Sequence, residues 1–246
     1  RQRQMCIRDS IRIDGVASML YLDYGKQPGT WTPNMYGGNE NLDAIEFLKT
    51  MNKYIAKRGD GCFTIAEESS GWFGVTAADN DDPLMFTYKQ NNCWTKDFLE
   101  FMGTDPLFRK GEYDKLTYGM LYNYGEDFML SLNHDDFREK AFVDMVSGSD
   151  EKAHLSDIKA ALGFMYAHPG SKMFAAGQDA GLEKFMSELN KFYAKNAALY
   201  ELDNDPDGFM WLENSNPEET VIAMQRADSK GNTVSYTHLR AHETRG

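Results

Sequence analysis

Short apolar runs alternate with amphipathic segments along most of this chain, and this alternation most restricts the fold. Strand candidates include IRID (residues 11–14) and GCFTIAEE (residues 61–68). In ENLDAIEFLKTMNKYIAKRG, which ends at Gly59, apolar residues recur at helical spacing. Strands that alternate with helices are typical of parallel βαβ units. The sequence therefore predicts an α/β fold.

The same alternation continues to about residue 200. Further helices are predicted in WTKDFLEFM, YDKLTYGMLYNY, SDIKAALGFMYAH and GLEKFMSELNKFYAKNAALY, and further strands in DFMLSLNHDD and SKMFAAGQD. After Pro206 the pattern changes to GFMWLE and TVIAMQRA, joined by the polar turn NSNPEE. This pattern predicts an antiparallel hairpin and the start of an all-β domain.

The two ends of the chain are related through the genetic code. Met5–Ser10 can be encoded as ATG TGT ATA AGA GAC AGN, and the reverse complement, NCT GTC TCT TAT ACA CAT, can be translated as Thr233–His238. Such an inverted repeat is similar to a transposon sequencing adaptor that has been read through as coding sequence. We therefore expect residues 1–10 and 233–246 to be artefact and the protein proper to span residues 11–232.

Charge and cysteine content restrict the partners. The chain has 26 basic and 38 acidic residues, a net charge of −12, which suits neutral ligands and argues against nucleic acid or an anionic membrane surface as a partner. No apolar run of the sequence is long enough to span a bilayer. Cys62 and Cys93 are widely separated, as is typical of reduced thiols, so a cytoplasmic location is expected.

Carboxylates follow three of the strand candidates: Asp14 after IRI, Glu67 after CFTIA, and Asp135 after FMLSLNH. Each alone has a plainer explanation as a turn residue, a helix start or a loop residue. In a parallel α/β barrel, however, the carboxyl ends of the strands converge on the face where active sites lie. Together the three acids indicate an enzyme that cleaves glycosidic bonds. In that reaction one carboxylate attacks the anomeric carbon while a second, about 5–5.5 Å away in retaining enzymes, protonates the leaving oxygen.

Longer motifs carry a family resemblance. IRIDGVASMLY, TIAEESS and LSLNHDD are similar, in this order, to the nucleophile, acid and third motifs of the α-amylase superfamily. GTWTPNMYGGNENLDAIEFL, FMYAHPGSKMF and ALYELDNDPDGFMWLE resemble the bacterial 1,4-α-glucan branching enzymes in particular. The resemblance covers nearly all of residues 11–232. It implies the C-terminal half of a (β/α)8 TIM barrel over residues 11–205, about strands four to eight, followed by the start of an all-β sandwich domain at residues 206–232.

The resemblance also implies roles for individual residues. Asp14 is the nucleophile, Arg12 keeps it ionised and oriented, and Glu67 is the general acid and base. Asp135, with His134 beside it, holds the hydroxyls of the sugar. Aromatic side chains that either stack on glucose rings or pack as ordinary loop residues are Trp31, Tyr36 and Trp72. The partner is an α-glucan, glycogen or amylose, in which α-1,6 branches are formed. No cofactor and no metal ion is implied.

Three segments depart from the family pattern. The third motif ends in His134-Asp135-Asp136 instead of His-Asp-Glu and continues as FREKAF. TYKQNNCWTKDF keeps little of a Trp-Asn-x-Gly-Trp-Met-His-Asp pattern, and the loop after Gln178 is short. The altered third motif and the short loop after Gln178 favour an alternative, a degenerate α-glucan-binding relative without catalysis. A hydrolase or debranching enzyme of the same superfamily is disfavoured by TPNMYGGNEN.

The resemblance further implies that barrel strands one to three and an N-terminal carbohydrate-binding module lie outside the chain. Half a barrel leaves open sheet edges and an uncovered core. We therefore expect residues 11–232 alone to be neither stably folded nor active, and a cooperative thermal transition of the isolated segment would contradict this.

Overall fold

A computed structural model describes residues 10–76, 81–148, 150–175, 177 and 181–238. They divide between two compact units. Unit 1 runs to Asn92 and includes Gly125–Phe128, and unit 2 comprises Cys93–Tyr124 and continues from Met129. Of the segments discussed above, residues 1–9, 178–180 and 239–246 lie outside the described residues, and with them most of the short loop after Gln178.

Unit 1 is built on parallel strands. Strand β1 (Ser10–Ile13) pairs in parallel with β2 (Phe63–Ala66), and β2 pairs in parallel with β3 (Tyr88–Gln90). Helices α1 (Val16–Leu20) and α2 (Leu42–Arg58) follow β1. The predicted strands and the long helix are therefore confirmed, whereas α1 and the short polar β3 were missed.

The ends of α2 follow from its sequence. The side chain of Asn41 accepts a hydrogen bond from the backbone N–H of Ala44, which is the usual N-cap arrangement. Gly59 ends the helix in the left-handed conformation, with φ of 62°, where glycine carries no Cβ penalty. The predicted stop at this glycine is confirmed.

Unit 2 continues the α/β alternation with α3 (Asn92–Gly103), β4 (Phe128–Leu132), α4 (Phe142–Met145), α5 (Glu151–Ala167), β5 (Ser171–Phe174) and α6 (Glu183–Lys195). The first residue of α3 and of β4 belongs to unit 1. Strands β4 and β5 pair in parallel. The core of this unit is an apolar cluster that includes Trp94, Phe98, Phe164, Leu130 and Met224. The helices predicted in WTKDFLEFM and SDIKAALGFMYAH are confirmed. The helix predicted in GLEKFMSELNKFYAKNAALY is confirmed as far as Lys195, after which Ala197–Leu199 is a 3-10 segment. Among the described residues, no helix combines the length and apolar character needed to cross a membrane.

One predicted helix is wrong. YDKLTYGMLYNY does not form an α-helix but lies in 3-10 segments at Arg109–Leu116, Tyr118–Leu121 and Asn123–Gly125. Glycine disfavours a continuous α-helix by about 1 kcal/mol, and Gly119 lies so close to Trp94 that an added Cβ would be 3.1 Å from its ring. Packing within unit 2 therefore decides the local geometry here.

The predicted hairpin is confirmed. Strands β6 (Phe209–Asn216) and β7 (Val221–Ala227) pair antiparallel, and β7 pairs antiparallel with β8 (Thr233–His238). Strand β8 is a segment that the sequence analysis set aside as adaptor-encoded. In the structure, Tyr236 of β8 donates a hydrogen bond from its hydroxyl to the Ala160 carbonyl at 2.9 Å, and burial raises the pKa of this phenol. The nucleotide origin of the segment stays a prediction.

Residue His168, just after α5, is a buried and uncharged imidazole. Its ring lies between those of Trp94 and Phe164, with centroids 5.7 Å from each. Nδ1 is 2.9 Å from the Pro169 carbonyl, and Nε2 has no hydrogen-bond partner among the described residues. Burial, aided by the nearby cations Lys172 and Arg226, lowers the pKa of His168 to about 3.

This imidazole makes the fold sensitive to acid. An exposed histidine titrates near 6.5, so between about pH 6.5 and pH 3 the unfolded chain binds a proton that the folded chain does not. The free energy of unfolding therefore falls as the pH falls through this window, by roughly 2–5 kcal/mol over its whole width.

We expect His168→Gln to lose less stability than the wild type between pH 6.5 and pH 4.5, measured by urea unfolding of the complete protein. His134→Gln is the matched control, because that side chain is exposed and should keep the wild-type slope. Equal slopes for the wild type and His168→Gln would contradict the assignment.

Candidate active site

The carboxyl edge of the unit 1 sheet carries two of the predicted acids, Asp14 and Glu67, and a further polar side chain, Gln90. Ile13 is in register with Ala66, and Ala66 with Lys89. The next residue on each strand, respectively Asp14, Glu67 and Gln90, therefore lies at the same edge. The parallel register explains why residues far apart in sequence meet here.

Arg12 and Asp14 form an ion pair at this edge. The Arg12 Nη2 atom lies 2.8 Å from Asp14 Oδ1, and its Nε donates to Gln90 Oε1 at 3.2 Å. The Asp14 side chain is 70% exposed, whereas Arg12 is 21% exposed. The arrangement presents a carboxylate to solvent and holds it against a permanent cation, which fixes the direction of the carboxylate.

Both carboxylate oxygens of Glu67 accept hydrogen bonds. The backbone N–H of Gly15 donates to Oε2 at 2.8 Å, and Asn92 Nδ2 donates to Oε1 at 2.6 Å. Gly15 reaches this position with φ of 60°, the left-handed region that favours glycine. The residue after Asp14 is thus bonded directly to Glu67, which brings the two acids of the prediction together.

The neighbouring acid, Glu68, has a different environment. Its side chain is fully buried and forms an ion pair with Lys89 at 2.9 Å, while its Oε1 accepts from the backbone N–H and the hydroxyl of Ser70. Burial raises the pKa of Glu68, but the hydrogen bonds from Ser70 and Lys89 and the charge of Lys89 outweigh it and lower the pKa overall. Of the two consecutive acids, Glu68 is committed to internal contacts, which leaves Glu67 as the one at the surface of the site.

The segment that carries Trp72 is anchored by the buried carboxylate of Glu126. Glu126 accepts hydrogen bonds from the backbone N–H groups of Gly74, Val75 and Thr76 at 2.8–3.0 Å, and from the Thr76 hydroxyl. Lys89 Nζ donates to the Trp72 carbonyl at 3.3 Å. These contacts offset the cost of burying the Glu126 charge and hold the loop in one conformation.

The aromatic candidates have different degrees of exposure. Trp72 is half-buried and lies edge-on to Tyr21, with ring centroids 5.6 Å apart. Trp31 is half-buried in the segment between α1 and α2. Tyr36 is 80% exposed, at a turn in which Asn34 Oδ1 accepts from the N–H groups of Tyr36 and Gly38. The turn therefore presents the Tyr36 ring to solvent, whereas Trp72 also serves the packing of unit 1.

Asp135 and His134 belong to unit 2, in the turn that follows β4. The backbone N–H of Asp135 donates to Asn133 Oδ1 at 2.7 Å, and the Arg138 guanidinium donates to Asp135 Oδ1 at 2.5 and 3.1 Å. His134 Nε2 lies 3.5 Å from the same oxygen, and the imidazole is largely exposed. The FREKAF continuation, which departs from the family pattern, thus supplies a cation that engages Asp135.

Sequence reasoning missed four residues that contact the predicted site or its loop: Lys89, Gln90, Asn92 and Glu126. The first three lie at or just after β3, a strand without an apolar pattern that would have revealed it. A usable signal was the polar run KQNN, which leads into the helix at the expected place of a strand end. Among the described residues, no group of three or more His, Cys, Asp and Glu side chains is arranged to hold a metal ion.

Solved structures of α-amylases share this fold. A crystal structure of AmyP in complex with maltose matches 80% of this chain and 51% of that chain, with a TM-score of 0.60 and 13% sequence identity. An α-amylase from Geobacillus thermoleovorans, complexed with acarbose, matches 90% of this chain and 46% of that chain, with a TM-score of 0.55 and 13% identity. The chain therefore has an α/β fold with parallel strands of the α-amylase type.

Curated relatives are more similar in sequence. The 1,4-alpha-glucan branching enzyme GlgB 2 of Clostridium perfringens strain 13 is 37% identical over 89% of this chain, and GlgB 1 of the same strain is 38% identical over 89%. The chain spans 37% and 36% of the length of these two relatives. No family model matches the chain. Over 89% of its length the chain is therefore similar in sequence to 1,4-α-glucan branching enzymes, and it shares the α/β fold of the α-amylase structures.

Proposed function

We propose that this chain is a segment of a 1,4-α-glucan branching enzyme that cleaves α-1,4 links and transfers the released chain to a glucose 6-hydroxyl. The observation that carries the proposal is the pairing at one sheet edge of an exposed carboxylate bound to Arg12 with a second carboxylate bound to Gly15 and Asn92. We assign residues 11–205 to part of a (β/α)8 barrel and residues 206–232 to the start of an all-β sandwich domain. The protein acts in the cytoplasm.

The first step forms an ester on Asp14. A carboxylate oxygen of Asp14 attacks the anomeric carbon, and the bond from that carbon to the leaving 4-oxygen breaks. Protonated Glu67 gives its proton to this oxygen, so the departing chain leaves with a 4-hydroxyl. Arg12, at 2.8 Å from Asp14, holds the carboxylate of the nucleophile in place before the attack.

The second step creates the branch. Glu67, now a carboxylate, takes the proton from the 6-hydroxyl of an acceptor glucan, and the 6-oxygen attacks the anomeric carbon. The ester bond breaks, Asp14 is released as a carboxylate, and Glu67 again carries the proton. Branching differs from hydrolysis only in the acceptor, so water has to be kept from the intermediate.

Other residues serve the glucan in this proposal. Asp135 holds sugar hydroxyls, with His134 beside it, and its bond to Arg138 fixes the carboxylate that does so. Trp31, Tyr36 and Trp72 offer ring faces on which glucose units stack, an arrangement supported most directly by the exposure of Tyr36. Maltose and acarbose bound to the related amylases agree with an α-glucan ligand.

Incubation of the complete protein with amylose tests this function. Branching shortens the linear stretches that bind iodine without releasing reducing ends, so we expect the iodine absorbance to fall while the reducing-sugar content stays constant. A matched rise in reducing ends would indicate a hydrolase instead. No change in either signal, together with retention on an amylose column, would indicate a glucan-binding relative without catalysis.

A further inference from the structure

Two amide side chains, two positions apart, each contact a different part of the proposed site. Gln90 is the last residue of β3, and its side chain is buried, with 3% of the residue exposed. Asn92 is the first residue of α3. Gln90 bonds to Arg12, the partner of the nucleophile, and Asn92 bonds to the proton donor Glu67.

We propose that Gln90 and Asn92 are positioning residues with separate tasks: Asn92 orients the acid that protonates the leaving oxygen, and Gln90 orients the cation that holds the nucleophile. This inference rests on the proposed function, since it assigns work to the same pair of acids. Neither amide is assigned a role in the mechanism given above.

The contact of Asn92 fixes the plane of the Glu67 carboxyl group. Oε2 is tied to the Gly15 N–H at 2.8 Å and Oε1 to Asn92 Nδ2 at 2.6 Å, so rotation about the last bond of Glu67 breaks both hydrogen bonds. A protonated carboxyl group keeps acceptor capacity on its oxygens, so the same contact persists in the acid and in the base form. Asn92 thus directs the proton without being consumed in either step.

The contact of Gln90 fixes the guanidinium of Arg12. Nε donates to Gln90 Oε1 at 3.2 Å while Nη2 lies 2.8 Å from Asp14 Oδ1, and two bonds to one planar group define its orientation. A neutral amide does this without neutralising the arginine, whose full charge stays directed at Asp14. A carboxylate at position 90 would compete with Asp14 for that charge.

The two tasks separate when the leaving group is changed. Cleavage of amylose needs a proton from Glu67, whereas the fluoride of an α-maltooligosyl fluoride leaves as an anion without one. Attack by Asp14 is required with both donors. Since kcat/KM reports the steps up to the first irreversible one, its value with each donor distinguishes a defect of the acid from a defect of the nucleophile.

The experiment compares Asn92→Leu, Gln90→Leu and the wild type of the complete protein with both donors. Misplacing a reacting group by about 1 Å can cost roughly 100-fold in rate. We expect Asn92→Leu to lower kcat/KM on amylose by about 10–100-fold and on the fluoride by no more than about 3-fold. Gln90→Leu should lower kcat/KM by about 10-fold or more with both donors. Gln90→Glu should also lower both, because it retains the acceptor but draws on the charge of Arg12.

Controls separate these effects from loss of folding and from failure of the proposed function. The urea midpoint of each variant identifies a folding defect, which would lower activity on both donors alike. Equal losses on both donors in folded Asn92→Leu, or a loss confined to amylose in Gln90→Leu, would overturn the inference. A wild type that hydrolyses amylose instead of branching it would overturn the proposed function alone. The inference would survive, because hydrolysis also needs Glu67 to protonate the leaving oxygen. A wild type inert toward both donors would overturn both.

Discussion

Replacing Asp14 by Asn is expected to abolish branching by the complete protein, with a loss on the order of 10⁴–10⁶-fold in kcat. An amide oxygen is a poor nucleophile and forms no stable ester with the anomeric carbon, so the first step has no intermediate. The change also removes the ion pair with Arg12 at 2.8 Å. The side chain is 70% exposed, so its replacement leaves no cavity and should leave the urea midpoint nearly unchanged.

The iodine assay and a mass measurement together check this expectation. Asp43→Asn is the matched control, an exposed carboxylate at the start of α2, and should keep activity within about 2-fold. With a glycosyl fluoride, the wild type should carry one glycosyl unit transiently on the peptide that contains Asp14, and Asp14→Asn should carry none. If Asp14→Asn kept more than about one hundredth of the wild-type rate, the nucleophile would have to be assigned elsewhere.

Replacing Arg226 by Met is expected to lower the free energy of unfolding by about 3–5 kcal/mol, because it leaves the buried carboxylate of Asp203 without its partner. Arg226 is 1% exposed, and its Nη2 lies 2.6 Å from Asp203 Oδ1. The same guanidinium donates to the carbonyls of Ala167, Leu199 and Gly208 at 3.1–3.3 Å. One side chain on β7 thus contacts the end of α5 and two further 3-10 segments of unit 2, Ala197–Leu199 and Pro206–Gly208.

Urea unfolding of the complete protein measures this loss. Arg58→Met removes an exposed ion pair with Asp60 and serves as the control, for which only a small change is expected. The double variant Arg226→Met with Asp203→Leu should recover part of the loss, since the stranded carboxylate is also removed. A midpoint for Arg226→Met equal to that of Arg58→Met would show that the buried pair contributes little.

The parts of the fold that sequence reasoning predicted are those whose signal is local. Helix α2 is framed by Asn41 and Gly59, and the apolar run of β2 stands between polar segments, so both were predictable. Strand β3 has only three residues, Tyr88–Gln90, and its pairing comes from the strand beside it. The 3-10 segments around Gly119 lie where the backbone packs closely against Trp94, a contact about which the segment itself carries no information.

The site divides in the same way. Asp14 and Glu67 directly follow strands, so the general rule for parallel sheets was enough to place them at one edge. The amides that position these acids were not predictable. Gln90 contacts Arg12 and Asn92 contacts Glu67 only because of the register of β3. Asp135 was likewise found after a strand, but its bond to Arg138 follows from a turn whose geometry no local pattern specifies.

The buried Glu126 carboxylate has a consequence for the order in which the protein assembles. Its partners at Gly74, Val75 and Thr76 precede it by 50–52 residues. At 5–20 residues per second, a ribosome adds that length in roughly 3–10 s. Until then three adjacent amide groups lack their acceptor, and the tryptophan segment that they anchor stays open to proteases. Completion of the loop that carries Trp72 therefore waits for a stretch of chain made well after the proposed nucleophile and acid.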